Sequence, residues 1–180
     1  TEASCIGMAG PAMIEGGGLG SWEPQDIGPV SVHRENGVVD IVVADEAEAT
    51  EVAKRVLACA QGLLSDWQAA DQSELAALMP TNRRYAFDVR KIIRHLFDLE
   101  SFIETRPDMG RAIVTGLARI EGRAVAVLAS DCRHLGGAID GESATKAASL
   151  YQLAERWRLP VVSLIDTPGF MVGPQSEAEG

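Results

Sequence analysis

The sequence predicts an α/β fold, and the order of elements in its second half carries that prediction. Residues 112–120 and 123–129 are two largely apolar runs separated by a Glu–Gly turn, which is typical of a β-hairpin. Residues 142–157 then predict a helix, and residues 161–165 are a short apolar run that predicts a buried strand. A helix between two strands forms a crossover connection, so we expect part of the sheet to be parallel.

The helix over residues 142–157 is predicted from small and aromatic side chains at helical spacing. Its expected buried face consists of Ala144, Ala147, Ala148, Tyr151 and Ala154.

Shorter elements are predicted before this unit. Residues 38–43 predict a strand after an Asn–Gly turn. Asp45 and Glu48 have the spacing of a capping box, so a helix is expected to begin there. Residues 88–97 predict another helix, in which the basic residues occupy the face opposite the apolar one. The expected buried positions of that helix are Val89, Ile92, Ile93 and Leu96.

The remaining segments predict little regular structure. Residues 7–20 are rich in glycine, which a packed helix disfavours, and residues 65–85 show poor periodicity and predict a linker. Residues 102–104 predict a short strand. The chain begins in the middle of a sequence pattern and ends on the polar tail QSEAEG just after a turn, so we expect it to be cut from a longer polypeptide.

Composition and charge exclude several functional classes. The net charge of −10 argues against nucleic acid and anionic membranes as partners, because phosphate requires a basic surface. No apolar run approaches the roughly 20 residues that a membrane helix needs. The three cysteines are scattered without a CxxC pair, which predicts no disulfide framework, no zinc or other metal site, and a reducing, cytoplasmic location.

The segment between the hairpin and the helix permits a nucleotide-binding interpretation. Residues 136–143 read GxxxxGES, which is close to a phosphate-binding loop, and Asp166 ends the next strand as a metal-holding aspartate would. However, Glu142 stands in place of the lysine and would repel the phosphates that the lysine neutralises. The sequence therefore disfavours this interpretation, and Asp166 is better interpreted as the end of a core strand.

The same segment could instead offer backbone donors to a ligand oxygen. Gly136 and Gly137 lack a β-carbon, and the following helix directs its positive N-terminal end toward them. Such groups can stabilise an oxyanion without a side-chain acid. The alternative is a tight turn that only leads into the helix. His134 could be a general base or an ordinary loop histidine, and Cys132 has no activating partner in the sequence.

Five segments resemble one enzyme family in order along the chain. They are GMAGPAMIEGGGLG at 7–20, DIGP at 26–29, NGVVDIVVADEAEA at 36–49, HLGGAIDGESATKAA at 134–148 and LPVVSLIDTPGFMVGPQSE at 159–177. They resemble the β-type carboxyltransferase subunit of biotin-dependent acyl-CoA carboxylases, in the crotonase/ClpP-like superfamily.

The resemblance implies parts of two crotonase-like domains, each a ββα superhelix. Residues 1–64 would be the C-terminal part of the N-terminal domain, residues 65–85 a linker, and residues 86–180 the first half of the C-terminal domain. The implied activity is transfer of a carboxyl group from N-carboxybiotin to the α-carbon of a short acyl-CoA of the acetyl or propionyl type. The thioester enolate attacks CO2, and backbone amides hold the oxyanions.

The resemblance also assigns site residues and partners. Gly136, Gly137 and Ala138 correspond to an oxyanion loop; Pro168, Gly169 and Phe170 to the biotin side; and Gly10 and Pro11 to the wall of the acyl-CoA site. Biotin would be carried on a separate carrier domain or protein, with acyl-CoA as substrate and no metal in the chain. A biotin carboxylase or biotin carrier subunit and a homo-oligomer, typically a hexamer, are the implied partners.

One local departure and two alternatives accompany the resemblance. Asp131, Cys132 and Arg133 stand where relatives have a neutral Asn-Pro type sequence, which affects the expected loop geometry or substrate preference. The helices that supply the main oxyanion amides would lie outside residues 1–180, so the segment alone is expected to be inactive. The alternatives are another crotonase-type acyl-CoA hydratase or decarboxylase, and a non-catalytic scaffold.

Overall fold

The computed structural model describes residues 1–82 and 84–179 and contains one four-stranded sheet in that part of the chain. The strands lie in the order β1-β2-β3-β4. They are β1 (Ile103–Thr105), β2 (Ile113–Ile120), β3 (Arg123–Ser130) and β4 (Val161–Leu164). The α-helices are α1 (Pro11–Gly16), α2 (Val30–Glu35), α3 (Glu46–Cys59), α4 (Leu75–Leu78), α5 (Val89–Leu96), α6 (Gly141–Trp157) and α7 (Pro174–Glu179). No helix in the described ranges is long and apolar enough to cross a membrane.

Strands β2 and β3 form the predicted hairpin in full antiparallel register, from Ile113 opposite Ser130 to Ile120 opposite Arg123. The two turn residues, Glu121 and Gly122, both have positive φ, as a tight hairpin turn requires. The hairpin prediction is confirmed.

A buried aspartate holds that turn. Both carboxylate oxygens of Asp98 accept backbone N–H bonds, from Glu121 at 2.9 Å and from Gly122 at 2.8 Å. Because Asp98 is buried, these charge-assisted bonds fix the turn end of the hairpin, which is the end far from Ser130.

Helix α6 supplies the crossover that the sequence predicts. Asp140 caps its first turn by accepting a bond from the N–H of Ser143, and Arg158 ends it in the left-handed conformation. The chain then pairs β4 parallel to β3, with Val161 opposite Ala126. The parallel pair is confirmed, and it brings the carboxyl ends of β3 and β4 to one edge of the sheet.

Successive residues of β2 and β3 face opposite sides of the sheet, and each side has its own helices. On one side, Ile93 of α5 and the following Phe97 pack against Val114 and Val127. On the other side, α6 and the end of α3 complete the core. The buried members of that second cluster are Cys59, Ile113, Leu117, Ala126, Leu128, Leu150 and Ala154.

One strand prediction is wrong, and another is wrong in part. Residues 38–43 form no strand, because the amides of Val38 and Val39 bond to Asn36 Oδ1 and the His33 carbonyl and so close the end of α2. Strand β4 is present but is half-buried rather than buried, since it forms the edge of the described sheet.

The buried face of α6 also differs from the prediction. The buried residues are Ser143, Lys146, Leu150 and Ala154, whereas Ala144, Ala148 and Tyr151 are exposed. Alanine fits either face of a helix, so the alanine spacing did not fix its orientation. The buried polar residues Ser143 and Lys146 belong to a face that hydrophobic periodicity would assign to solvent.

Candidate functional site

A cleft of about 1030 Å³ opens at the edge where β3 and β4 end. Ser130, Gly136 and Asp166 line it at the ends of the two strands and in the loop that follows β3. Phe87 and Ile92, from the chain leading into α5 and from α5 itself, form another part of its wall. Ligands of α/β proteins commonly bind outside the carboxyl ends of parallel strands, so this cleft is the candidate site.

The predicted glycine loop borders the cleft as a 3₁₀ turn over Leu135–Gly137. The N–H of Gly137 donates to the His134 carbonyl at 2.8 Å, and the N–H of Ala138 donates to the Leu135 carbonyl at 3.1 Å. These two amides are therefore already used within the turn. Gly136 differs from Gly137 in its surroundings: the space that a side chain would occupy is open, because a β-carbon built there would meet no atom within 4 Å.

Gly137 is fixed by its surroundings. Its φ of +82° is favourable only for glycine, and a β-carbon at this position would lie 2.5 Å from the carbonyl oxygen of Asp166. Close approach of the loop to the end of β4 therefore requires glycine at 137.

The glycine loop and the Pro168–Phe170 turn are joined. The N–H of Ile139 donates to the Gly169 carbonyl at 2.9 Å, and the N–H of Met171 donates to the Ile139 carbonyl at 2.8 Å. These bonds form a parallel bridge between Ile139 and Phe170. The structure thus brings together two groups of residues that lie about 30 positions apart in the sequence.

Gly10 and Pro11 occupy the start of α1, where the Gly10 carbonyl accepts bonds from Met13 and Ile14. Within residues 1–82 and 84–179, neither has a hydrogen bond to the glycine loop or to the Pro168–Phe170 turn. His134 contributes through its backbone: its N–H donates to the Asp131 carbonyl and its own carbonyl accepts from Gly137.

A buried ionic cluster that the sequence analysis missed lies at the start of the loop. The carboxylate of Asp131 is fully buried and accepts bonds from Arg90 Nη1 at 2.6 Å and from Arg133 Nε at 2.9 Å. Arg90 also pairs with Glu104, and Arg133 with Asp88. Burial raises the pKa of Asp131, but the bonds from Arg133 and Arg90 outweigh it and hold that pKa at about 2.

Lys146 is the second buried charge that the sequence analysis missed. Its Nζ donates to the carbonyls of Ile113 at 2.7 Å and Met109 at 3.0 Å, so it ties α6 to the start of β2. Burial of the ammonium group lowers the pKa of Lys146 to about 8.

The depressed pKa of Lys146 predicts stability that rises with pH. Between pH 8 and about 10.4, the unfolded state binds more protons at this residue than the folded state does, so the free energy of unfolding increases by about 3 kcal/mol. Urea unfolding of the wild type and of Lys146→Met at pH 7.5, 9 and 10.5 measures this increase. The free energy of unfolding of the wild type, relative to that of the variant, should rise by about 3 kcal/mol over this range.

Lys54 provides the control for this measurement, because it is exposed and, among the residues that the structure describes, its ammonium group pairs only with Glu51. The gap between the wild type and Lys54→Met should stay constant over the same range. A constant gap for Lys146→Met as well would contradict the burial effect.

The sequence profile of the carboxyl transferase domain matches residues 1–180. The chain belongs to the carboxyl transferase domain family. This confirms the resemblance inferred from the five segments. In this member, residues 1–82 and 84–179 contain no cluster of three or more His, Cys, Asp or Glu side chains that could hold a metal ion.

Among curated relatives, the β6 subunit of biotin-dependent acetyl-/propionyl-coenzyme A carboxylase from Mycobacterium tuberculosis H37Rv is 36% identical over 157 residues. The propionyl-CoA carboxylase β chain of Rhodococcus erythropolis is 37% identical over 161 residues. Each alignment covers 85% of this carboxyl transferase chain and 33% of the relative. The chain thus spans about a third of the length of these relatives.

Solved structures of the family share the fold. A single-chain, multi-domain long-chain acyl-CoA carboxylase is 51% identical with a TM-score of 0.94, over 97% of this chain and 18% of that one. Transcarboxylase 12S, solved with hydrolysed methylmalonyl-coenzyme A, is 25% identical with a TM-score of 0.83, over 96% of this chain and 36% of that one. These similarities confirm the predicted α/β, crotonase-like fold.

Proposed function

We propose that the chain is part of the carboxyltransferase component of an acyl-CoA carboxylase. In the proposed reaction, a carboxyl group passes from N-carboxybiotin to the α-carbon of a short acyl-CoA of the acetyl or propionyl type. The observation that carries the proposal is the bridge between Ile139 and Phe170, which holds the Pro168–Phe170 turn beside the glycine loop that borders the cleft. The named relatives act on acetyl-, propionyl- or longer acyl-CoA.

The residues at the cleft suit the bicyclic ring of biotin. Ile165, which lines the cleft, and Phe170, in the turn that adjoins the glycine loop, are 75% and 74% exposed and offer apolar surface to its ring system. Gly136 leaves its backbone open to a polar edge, because no neighbouring atom fills the space of a side chain. We propose that Pro168, Gly169 and Phe170 form the biotin side and that Gly136 faces the ligand, while Gly137 and Ala138 hold the turn.

Carboxylated biotin supplies the CO2 and, once that is released, the base for the α-proton. In the substrate, the α-carbon–hydrogen bond breaks, its electron pair becomes the enolate, and the enolate carbon forms a new bond to CO2. The chain contributes a fixed dipole at Gly136, whose backbone lines the cleft and favours a negatively charged oxygen there. The N-terminal end of α6 is instead capped by the Asp140 carboxylate. Gly10 and Pro11 are proposed for the wall of the acyl-CoA site.

The organisation of the whole protein is part of the same proposal. Residues 1–64 would belong to the N-terminal carboxyltransferase domain and residues 86–180 to the C-terminal one, joined by the linker at 65–85. A biotin carboxylase or biotin carrier subunit is the proposed partner, with biotin carried on a separate carrier domain or protein. A hexamer is supported by the hexamer assembly of transcarboxylase 12S, and a cytoplasmic location by three free cysteines.

Carboxyl transfer by the full-length protein tests the proposal. With methylmalonyl-CoA or malonyl-CoA and free biotin, the reverse reaction should release propionyl-CoA or acetyl-CoA at a rate that depends on biotin. With carboxybiotin, the forward reaction should carboxylate the same acyl-CoA. Failure of acetyl-, propionyl- and methylcrotonyl-CoA as substrates would overturn the proposal, and hydration of an enoyl-CoA without biotin would favour a hydratase. Intact assembly with no acyl-CoA binding by calorimetry would favour a scaffold.

A further inference from the structure

Asp131 connects three parts of the molecule at the point where β3 ends and the glycine loop begins. Its N–H donates to the Ala112 carbonyl at 2.8 Å, beside the start of β2. Its carboxylate bonds to Arg90 of α5 and to both the backbone and the guanidinium of Arg133 within the loop. No part of this side chain is exposed, although its two neighbours in the sequence, Ser130 and Cys132, both line the cleft.

The same cluster reaches the part of the cleft wall that Phe87 and α5 form. Arg133 Nη2 lies 3.1 Å from an oxygen of Asp88, the residue that caps α5. Between these charges, the Sγ of Cys132 accepts a bond from the N–H of Phe87 at 3.4 Å. The loop and the wall are therefore held together on both sides of Cys132.

We infer that Asp131 is a positioning residue for the biotin side of the cleft, because it fixes the glycine loop against the wall formed by Phe87 and α5. This inference rests on the proposed function. Asp131 touches no part of the cleft itself, so its effect passes through Arg133, Cys132 and the turn that follows. The Ile139–Phe170 bridge then extends the same constraint to the Pro168–Phe170 turn.

Asp131→Asn isolates the charge, because asparagine has nearly the same shape but no negative charge. It leaves Arg90 and Arg133 without one anionic partner each, and its amide N–H group faces a guanidinium donor. The loop should then separate from the wall while α5 and the hairpin keep their cores. Arg133→Met is a second variant in the same cluster; Arg133 is partly exposed, so this change is compatible with folding.

Asp98→Asn is the matched control. Asp98 is also a buried aspartate that accepts two bonds, but it holds the Glu121–Gly122 turn at the opposite end of the hairpin. Both substitutions should lower the melting temperature of the full-length protein. Only the change at Asp131 should alter the geometry of the cleft.

The kinetic test uses the full-length protein with methylmalonyl-CoA and free biotin. We expect Asp131→Asn and Arg133→Met to raise the KM for biotin about tenfold or more and to lower kcat by a similar factor, with the KM for methylmalonyl-CoA within about twofold of the wild type. Asp98→Asn should leave both KM values within about twofold. Equal kinetic effects of Asp131→Asn and Asp98→Asn would overturn the inference.

Alkylation of Cys132 gives a readout that does not depend on turnover. Iodoacetamide labelling resolved by peptide should be at least about fivefold faster at Cys132 in Asp131→Asn, because the loop no longer packs on Phe87. The rate in Asp98→Asn should match the wild type. Unchanged labelling in Asp131→Asn would also overturn the inference. If the wild type transfers no carboxyl group, the proposed function fails, whereas the labelling contrast still tests the coupling of loop and wall.

Discussion

Replacement of Gly137 by alanine is expected to lower the free energy of unfolding by about 3 kcal/mol or more. The left-handed backbone at φ +82° is unfavourable for alanine, and its β-carbon would lie 2.5 Å from the Asp166 carbonyl oxygen. Either the loop or the end of β4 must move, which also disturbs the Ile139–Phe170 bridge. Urea unfolding of the full-length protein measures the loss.

Gly136→Ala separates the two causes. Gly136 also has a positive φ, of +60°, but a β-carbon there meets no atom within 4 Å. Its substitution should therefore cost only the backbone term, about 1–2 kcal/mol. Equal destabilisation by both substitutions would show that the contact with Asp166 contributes nothing.

Arg119→Met is expected to destabilise the protein by about 3 kcal/mol. The buried guanidinium of Arg119 donates to the carbonyls of Gly122 at 2.6 Å, Ala58 at 2.7 Å and Gly62 at 3.1 Å. Methionine fills a similar volume but leaves these acceptors without their charged donor. Thermal and urea unfolding of the full-length protein measure the change.

Arg123→Met is the control for Arg119→Met. Arg123 begins β3 in the same hairpin, but it is exposed and its side chain has no hydrogen bond or ion pair with the described residues. Its substitution should change stability by less than about 0.5 kcal/mol. Because Arg119 holds the segment after α3, protease cleavage between residues 58 and 64 should also accelerate in Arg119→Met alone. Slow cleavage in both variants would mean that other contacts hold this segment.

Elements specified by short-range chemistry could be predicted from the sequence. The capping box is one: the N–H of Glu48 donates to Asp45 at 2.9 Å, and Glu48 accepts from the N–H of Ala44 at 2.7 Å. The Glu121–Gly122 hairpin turn is another. In each case the residues that decide the structure lie within four positions of one another.

Features that depend on distant partners could not be predicted in this way. The sequence pattern places Arg90 on the basic face of its helix, opposite the apolar one. Its guanidinium turns inward because it pairs with Glu104 and Asp131, which lie 14 and 41 residues away. The Gly137 and Ala138 amides bond within their own turn. The presence of glycine does not specify this backbone geometry, so it could not be predicted either. The sequence pointed to the glycine loop and to the Pro168–Phe170 turn, but not to the ionic cluster at the start of the glycine loop.

The parallel pairing of β4 has a consequence for how the chain acquires its structure. Strands β2 and β3 are joined by a two-residue turn and can pair as soon as both exist, whereas β4 is separated from β3 by the whole of α6. During synthesis, the backbone groups on the edge of β3 that later pairs with β4 therefore have no partner until β4 has been made. The residues on this edge are Ala126, Val127, Leu128 and Ala129. Unpaired apolar edges promote aggregation, and pairings with long loops form slowly. We therefore expect the edge that carries the cleft to be the last part of this sheet to form, and misfolding of this protein to begin there.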